Sequence, residues 1–205
     1  MKFLPAAILI KIQIVKLKFG SMKLNEKMML DAVGKIIDHS SISELDCERL
    51  SIELRTPLAE LKAYFPDKNA IILFMLRQLH AEIIKIIQDE KEQHQTPTQA
   101  FNRMFISLDY LFEAKSYYLS VIFYAETKNN QEEIKIALDQ VKLAAQQALE
   151  LIIERGKESK DFKIRQASEA LVENILSSFR NFVAEKQVDR KIREAFDRLK
   201  TNLKN

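Results

Sequence analysis

Three glycines and four prolines in 205 residues leave the chain almost without turn-formers, too few to close the successive hairpins of a β-sandwich. Set beside 30% charged and 47% hydrophobic residues, that scarcity favours long helices. An all-α fold is the first expectation. At 23.9 kDa the chain suffices for one sizeable core or for two small modules sharing a helix.

The net charge of +3 and a pI near 8.8 fall well short of a polycationic nucleic-acid binder, so any DNA contact has to come from a local patch. Cys47 is the single cysteine, which excludes an intramolecular disulfide and a multi-cysteine zinc site and fits a reducing compartment. The cytoplasm is the expected location. The apolar run from Phe3 to Ile10 behind Lys2 loosely resembles a signal-peptide core. No small-x-small cleavage site follows it, it is far shorter than the roughly 20 residues of a membrane span, and Lys11, Lys16 and Lys18 interrupt what comes next. No stable membrane insertion is expected. From Ile10 to Phe19 apolar residues nearly alternate with Lys and Gln, a strand-like period isolated in a helical chain. Either residues 1–21 are an extension upstream of a start at Met22, or they form a basic arm for DNA phosphates or a membrane surface.

After Met22 the period becomes helical, with Met28, Met29, Ala32, Val33, Ile36 and Ile37 at spacings of three and four, and it stops in the polar cluster from Asp38 to Ser41. A second short helix is expected from Asp46 to Leu54. A break follows at Arg55-Thr56-Pro57, then a third helix from Pro57 to Tyr64, with Thr56 as N-cap and Pro57 in the first helical position. Two short helices across a tight break have helix-turn-helix spacing. Pro66 ends the third helix and Asp67 can cap a fourth, which runs to about Glu92 and bridges into a second module. Beyond Pro97 helices are expected at about 98–114, 116–126, 131–156, 163–186 and 189–203, the last two separated at Gln187. The expected architecture is about nine helices: a headpiece over residues 22–68 and a helical regulatory and dimerisation body over 69–205.

The headpiece resembles the TetR/AcrR family of one-component bacterial regulators. Leu30-Asp31-Ala32 is similar to the family's Leu-Asp-Ala, and Tyr64-Phe65-Pro66-Asp67-Lys68 to its Tyr-Phe-Pro-x-Lys at the close of the recognition helix. The resemblance runs over roughly residues 23–75 and puts Leu61 on the family's buried leucine and Leu50 on the apolar anchor of the second helix. It breaks where function is concerned. In place of Ala-Gly-Val-Ser-Lys-Gly-Thr stands Leu54-Arg55-Thr56-Pro57-Leu58-Ala59-Glu60, without the turn glycine and the phosphate-binding Ser and Lys. The phenylalanine closing the first helix is Ile37 here, and the glycine after it is Ser41. Arg55 in place of glycine requires a different turn or a strained one, since a Cβ disfavours positive φ.

In a helix-turn-helix the second helix enters the major groove, and neighbouring cations and N–H groups hold phosphates. The candidates are Arg55, Thr56, Pro57, Leu58, Glu60, Lys62, Tyr64 and Lys68. Arg55, Lys62 and Lys68 suit phosphate or guanine, Tyr64 can donate to phosphate, and Glu60 can accept from cytosine while repelling phosphates. Lys23, Lys27 and Lys35 could add backbone contacts, or simply be solvated. So small a reading surface needs a second copy to bind double-stranded DNA tightly.

The last two helices offer a surface for that copy: Ala167, Ala170, Leu171, Asn174, Ile175, Ser178, Phe179 and Phe182 recur at helical spacing, followed by Ile192, Ala195, Phe196 and Leu199. Small residues interleaved with Phe let helices approach closely, in a homodimer interface as the resemblance implies or in an ordinary core. Eight aromatics of a chain with 12 Phe and 5 Tyr fall between Phe101 and Tyr124. Of these, Phe101, Phe105, Tyr110, Tyr117, Tyr118, Phe123 and Tyr124, together with Met104, are candidates for lining an apolar ligand pocket, though a large core would use the same residues.

Other chemistry is poorly served. His80 and His94 are too far apart in sequence for a metal pair on one helix, and neither a phosphate loop nor a nucleophile elbow occurs. No enzyme, metal or cofactor is expected. The resemblance implies a homodimeric repressor released by a small apolar ligand; the altered turn keeps open a binding protein of this fold that no longer reads DNA and carries a lipid or other small molecule.

Overall fold

The computed structural model describes residues 25–91, 96–128, 131–163 and 167–202, with side chains to Asp89 in the fourth helix and to Val188, Gln187 excepted, in the last. Eight α-helices succeed one another among them: α1 Glu26–His39, α2 Cys47–Leu54, α3 Leu58–Lys62, α4 Lys68–Lys91, α5 Pro97–Ala114, α6 Tyr117–Thr127, α7 Glu132–Glu158 and α8 Ser168–Asn202. A 3-10 turn, Ile42–Glu44, links α1 to α2. The alternating stretch from Ile10 to Phe19, Lys23 and His94 lie outside the described residues.

Helix ends follow from local chemistry. Asn25 and Asp46 accept the N–H groups of Met28 and Arg49, each at 2.8 Å, and start α1 and α2. Asp67 accepts the N–H of Ala70 at 2.9 Å at the head of α4. Thr96 and Gln99 form a reciprocal capping box, with Pro97 in the first turn, so α5 starts one residue earlier than its period indicates. The break expected at Gln187 is absent: α8 runs unbroken from Ser168 to Asn202. Gln187 has neither the constrained φ of proline nor glycine's freedom, so it cannot end a helix by itself.

One hydrophobic core runs through the molecule, from Met29, Val33 and Leu50 in the headpiece through Met75 and Leu79 of α4 to Tyr118, Val141 and Ile153. Leu50 and Leu61 are fully buried, in keeping with their anchor positions. The body is α4 and α7 packed along each other, with α5, α6 and α8 closing around them. The headpiece joins it through α6 and through α4, where Phe74 packs on Phe65 at 5.4 Å. Gly34 of α1 leaves room for the Tyr117 ring, whose Cε1 would lie 2.5 Å from an added Cβ. The Ser116 hydroxyl reaches the Asp38 carboxylate at 3.1 Å.

Candidate functional site

The turn between α2 and α3 is closed on Arg55, in the left-handed conformation at φ 51° and ψ 41°. The anticipated strain is therefore present, and three bonds hold it in place. The Arg55 N–H donates to Ile52 O at 3.1 Å and the Thr56 N–H to Ser51 O at 3.0 Å, while the Ser51 hydroxyl donates to Thr56 O at 2.6 Å. Because Ser51 takes both backbone groups of Thr56, the Thr56 hydroxyl faces back to Leu54 O, 3.3 Å away, instead of capping α3. Pro57 occupies the cap position with no side-chain cap bond, and α3 covers only Leu58–Lys62. Its end is pinned by the Cys47 thiol donating to Phe65 O at 3.0 Å, and burial pushes that thiol's pKa up.

Leu58 and Tyr64 pack half-buried against the core, so the outward surface of the turn and α3 consists of Arg55, Pro57, Ala59, Glu60 and Lys62, with Ile52 of α2 beside them at 77% exposure. Most cations here already have partners: Lys35 pairs with Glu53 at 3.4 Å, Arg49 with Glu44 at 2.5 Å and Lys62 with Glu48 at 3.8 Å. Lys68 is placed otherwise than as a phosphate ligand. Its ammonium donates to Ile42 O at 2.6 Å and Ser43 O at 3.0 Å and lies 4.8 Å above the Tyr124 ring. Two carbonyls and an aromatic face draw it inward, and desolvation holds its pKa below the usual lysine value. Arg55 has no ion-pair partner among the described residues. Between Asn25 and Lys68 the chain has nine acidic and six basic side chains, a net −3 in a protein of net +3.

The second site is a cavity of about 290 Å³ in the body. Ile83 of α4, Leu108 and Phe112 of α5, Leu119 and Ile122 of α6, Leu138 and Val141 of α7 and Leu176 of α8 form its apolar lining. Glu126, Lys142 and Arg180 stand at one end. The Glu126 carboxylate, 18% exposed, takes Lys142 Nζ at 2.9 Å and Arg180 Nη1 at 3.0 and 3.2 Å, tying α6 to α7 and α8.

None of the eight residues anticipated for a pocket lines this cavity. Met104, Tyr117 and Tyr118 are buried in the core, Tyr110 is 73% exposed, and Phe123 is 39% exposed. Tyr124 lies beneath Lys68 at the seam with the headpiece. Phe101 and Phe105 line a separate shallow groove of about 330 Å³ with Asn174, Ile175, Ser178 and Phe179. The aromatics pack on one another: Phe105 and Phe179 stack edge-on at 5.1 Å, and Phe101 packs on Phe105 at 4.9 Å. A different sequence signal marks the cavity. Glu126 is the only charged residue of α6, an isolated acid in an apolar helix.

Of the positions anticipated for a dimer interface, Ala167, Asn174, Ser178 and Phe182 are exposed on α8 and its approach, while Leu171, Ile175 and Phe179 pack partly against the protein's own core. The side chains of Ile192 and Phe196 lie outside the described residues. Sequence reading missed Ile136, Leu143 and Leu151, large apolar residues exposed on α7.

No family model and no curated protein sequence matches the chain. Solved structures do. The transcriptional regulator FadR from Bacillus subtilis, solved with stearoyl-CoA, superposes with a TM-score of 0.68 at 14% identity, over 82% of this chain and 89% of that one. The TetR-family regulator PfmR from Thermus thermophilus gives 0.67 at 15% identity, over 76% and 84%. The fatty acid degradation regulator FadR from Bacillus halodurans gives 0.65 at 12%, over 78% and 86%. The chain therefore has the all-helical fold of TetR-type regulators.

Proposed function

We propose that the protein is a ligand-responsive, DNA-binding transcriptional regulator: a cytoplasmic homodimeric repressor, not an enzyme, released from its operator by a small apolar ligand. The observation that carries this reading is the double use of α6. Leu119, Ile122 and Glu126 face the cavity, whereas Tyr117 lies against Gly34 of the headpiece and Tyr124 beneath Lys68, which holds the 3-10 turn. A ligand that fills the cavity displaces the helix on which the headpiece rests. For such a ligand to act, it has to bind one headpiece arrangement better than the other, and couplings of this kind are typically about 5–150-fold in affinity. Two headpieces in one dimer would read half-sites about 34–36 Å apart, with Arg55 and Lys62 at the backbone and Pro57 and Glu60 nearest the bases. The dimer would form through α7 and α8, where Leu143, Leu151 and Phe182 are exposed.

The test is a fluorescence-anisotropy titration of the purified protein with duplex DNA from upstream of its own gene, at two salt concentrations and against a scrambled competitor. Salt-sensitive binding that scrambled DNA does not remove supports the reading; no binding at low salt overturns it.

One observation favours a second reading, a ligand carrier of this fold without DNA binding. The headpiece has a net −3, and Lys35, Arg49 and Lys62 are paired with its own acids, so it offers phosphates little. Residues 1–24 contain five lysines and no acid. A variant lacking residues 1–21 separates the cases. Binding lost with them makes the segment a basic arm of a true regulator; binding absent from the full chain as well leaves the carrier.

A further inference from the structure

We infer that the cavity takes an amphiphile with a carboxylate head and an unbranched apolar chain of about ten carbon atoms, the head held by Lys142 and Arg180 in competition with Glu126. This deepens the regulator reading and rests on it for the role of the cavity.

The argument begins with the charged end. Two cations share one carboxylate: Lys142 and Arg180 both bond Glu126, and Arg180 uses only one of its two terminal nitrogens to do so. The trio carries one positive charge in excess at the edge of an apolar space, and the guanidinium keeps donors in a planar fork matched to a second carboxylate. The other acid of the lining, Glu173, balances the charge of the lining as a whole but bonds neither Lys142 nor Arg180, which are half-exposed like it, so the excess is local to the trio. Gln146 and Ser177, which also line the cavity, add neutral hydrogen-bonding groups without changing that balance. A cationic head would be repelled by Lys142 and Arg180, and an alcohol would forgo the charge-assisted bonds. A carboxylate either joins Glu126 on the two cations or displaces it. Displacement releases the tie from α6 to α7 and α8, so the head group acts on the same helix that supports the headpiece.

Size sets the chain. About 290 Å³ at roughly 30 Å³ per water-sized unit holds about ten heavy atoms. The walls are aliphatic, with Phe112 the one aromatic ring besides Phe179, which suits a flexible methylene chain better than a planar polycycle.

Calorimetric titration of the full-length protein with decanoate, decanol, decyltrimethylammonium and hexadecanoate tests this directly, without DNA. Decanoate should bind, with decanol about tenfold or more weaker, decyltrimethylammonium weaker still and hexadecanoate weaker than decanoate. R180Q and K142Q should each weaken decanoate about tenfold and leave decanol unchanged. E126Q should tighten decanoate, because it removes the competing anion; a purely structural ion pair predicts the reverse. A145F, which fills the cavity from α7, should abolish decanoate and decanol together, with its thermal melt checked for folding. Equal affinity for decanoate and decanol, weaker decanoate binding in E126Q, or decanoate binding that survives A145F would each overturn the proposal. If decanoate binds as described but leaves DNA affinity unchanged, the regulator reading falls and the carboxylate site stands; if DNA binds and no chain does, the carboxylate site falls and the regulator reading stands.

Discussion

Arg55→Gly separates what the turn costs from what it contributes. The left-handed conformation at φ 51° crowds the Arg55 Cβ against the backbone, a strain of about 1–2 kcal/mol that glycine does not suffer. Glycine in turn loses more freedom on folding, about 0.5–1 kcal/mol. The three bonds of the turn involve backbone groups and Ser51, none of which the substitution removes. R55G should therefore be more stable than the parent by about 0.5–1 kcal/mol, or roughly 1–4 °C in Tm for a chain of this size. The same change deletes a cation at the turn that has no ion-pair partner among the described residues, so DNA affinity should fall and the salt dependence lessen by about one charge per protomer. Arg55→Ala is the control: it loses the guanidinium and keeps the Cβ, so it should lose DNA affinity without gaining stability. Urea melts and anisotropy titrations of the three proteins provide the readout. A less stable R55G, or an R55A that gains as much stability as R55G, would refute the strain argument.

The Tyr118 hydroxyl is buried with no hydrogen-bond partner among the described residues, so Tyr118→Phe should raise stability by about 1 kcal/mol in a urea melt. Burial, ahead of neighbouring acids for Tyr117 and ahead of Tyr117 itself for Tyr118, pushes both phenols well above the ordinary value of 10.0. The unfolded chain then releases protons that the fold retains: their stabilisation is complete below pH 10 and is lost above it, by up to about 1.4 kcal/mol per pH unit for each tyrosine. An alkaline absorbance titration should show these two phenols ionising only with unfolding. Gly34→Ala places a Cβ 2.5 Å from Tyr117 Cε1, and the overpacking, about 1–3 kcal/mol, should outweigh the roughly 1 kcal/mol gained in helix propensity. Recovery of the melting temperature in the double variant with Tyr117→Leu would trace the loss to that contact.

Much of the fold was legible because the informative signals are local. Asp67 is a cap that needs only the next three residues, and it stands where the sequence put it, while Asp46, expected as the first residue of its helix, is that helix's cap instead. Thr56 misled because Ser51, five residues back, competes for its backbone, and a motif read residue by residue does not register the competition. Gln187 misled because polarity was taken for a helix stop. The pocket was illegible for a different reason. Aromatic density reports where bulky groups gather, and in α5 and α6 they gather into the core and into one another. Where packing leaves space depends on how four or five helices meet, which no periodicity encodes. The charged trio at its edge comes from three helices, with Arg180 54 positions after Glu126.

The uninterrupted core has a consequence for recombination. Met29 and Val33 of α1 belong to the same packed cluster as Tyr118 and Val141 of the body, and Gly34 is shaped to a ring that the body supplies. A chimera that joins this headpiece to a foreign sensor at residue 68 would expose that seam unless Tyr117 and its neighbours travelled with it. In a lineage that exchanges parts, the unit of inheritance is α1 to α3 together with the stretch of α6 from Tyr117 to Tyr124 and the part of α4 around Phe74.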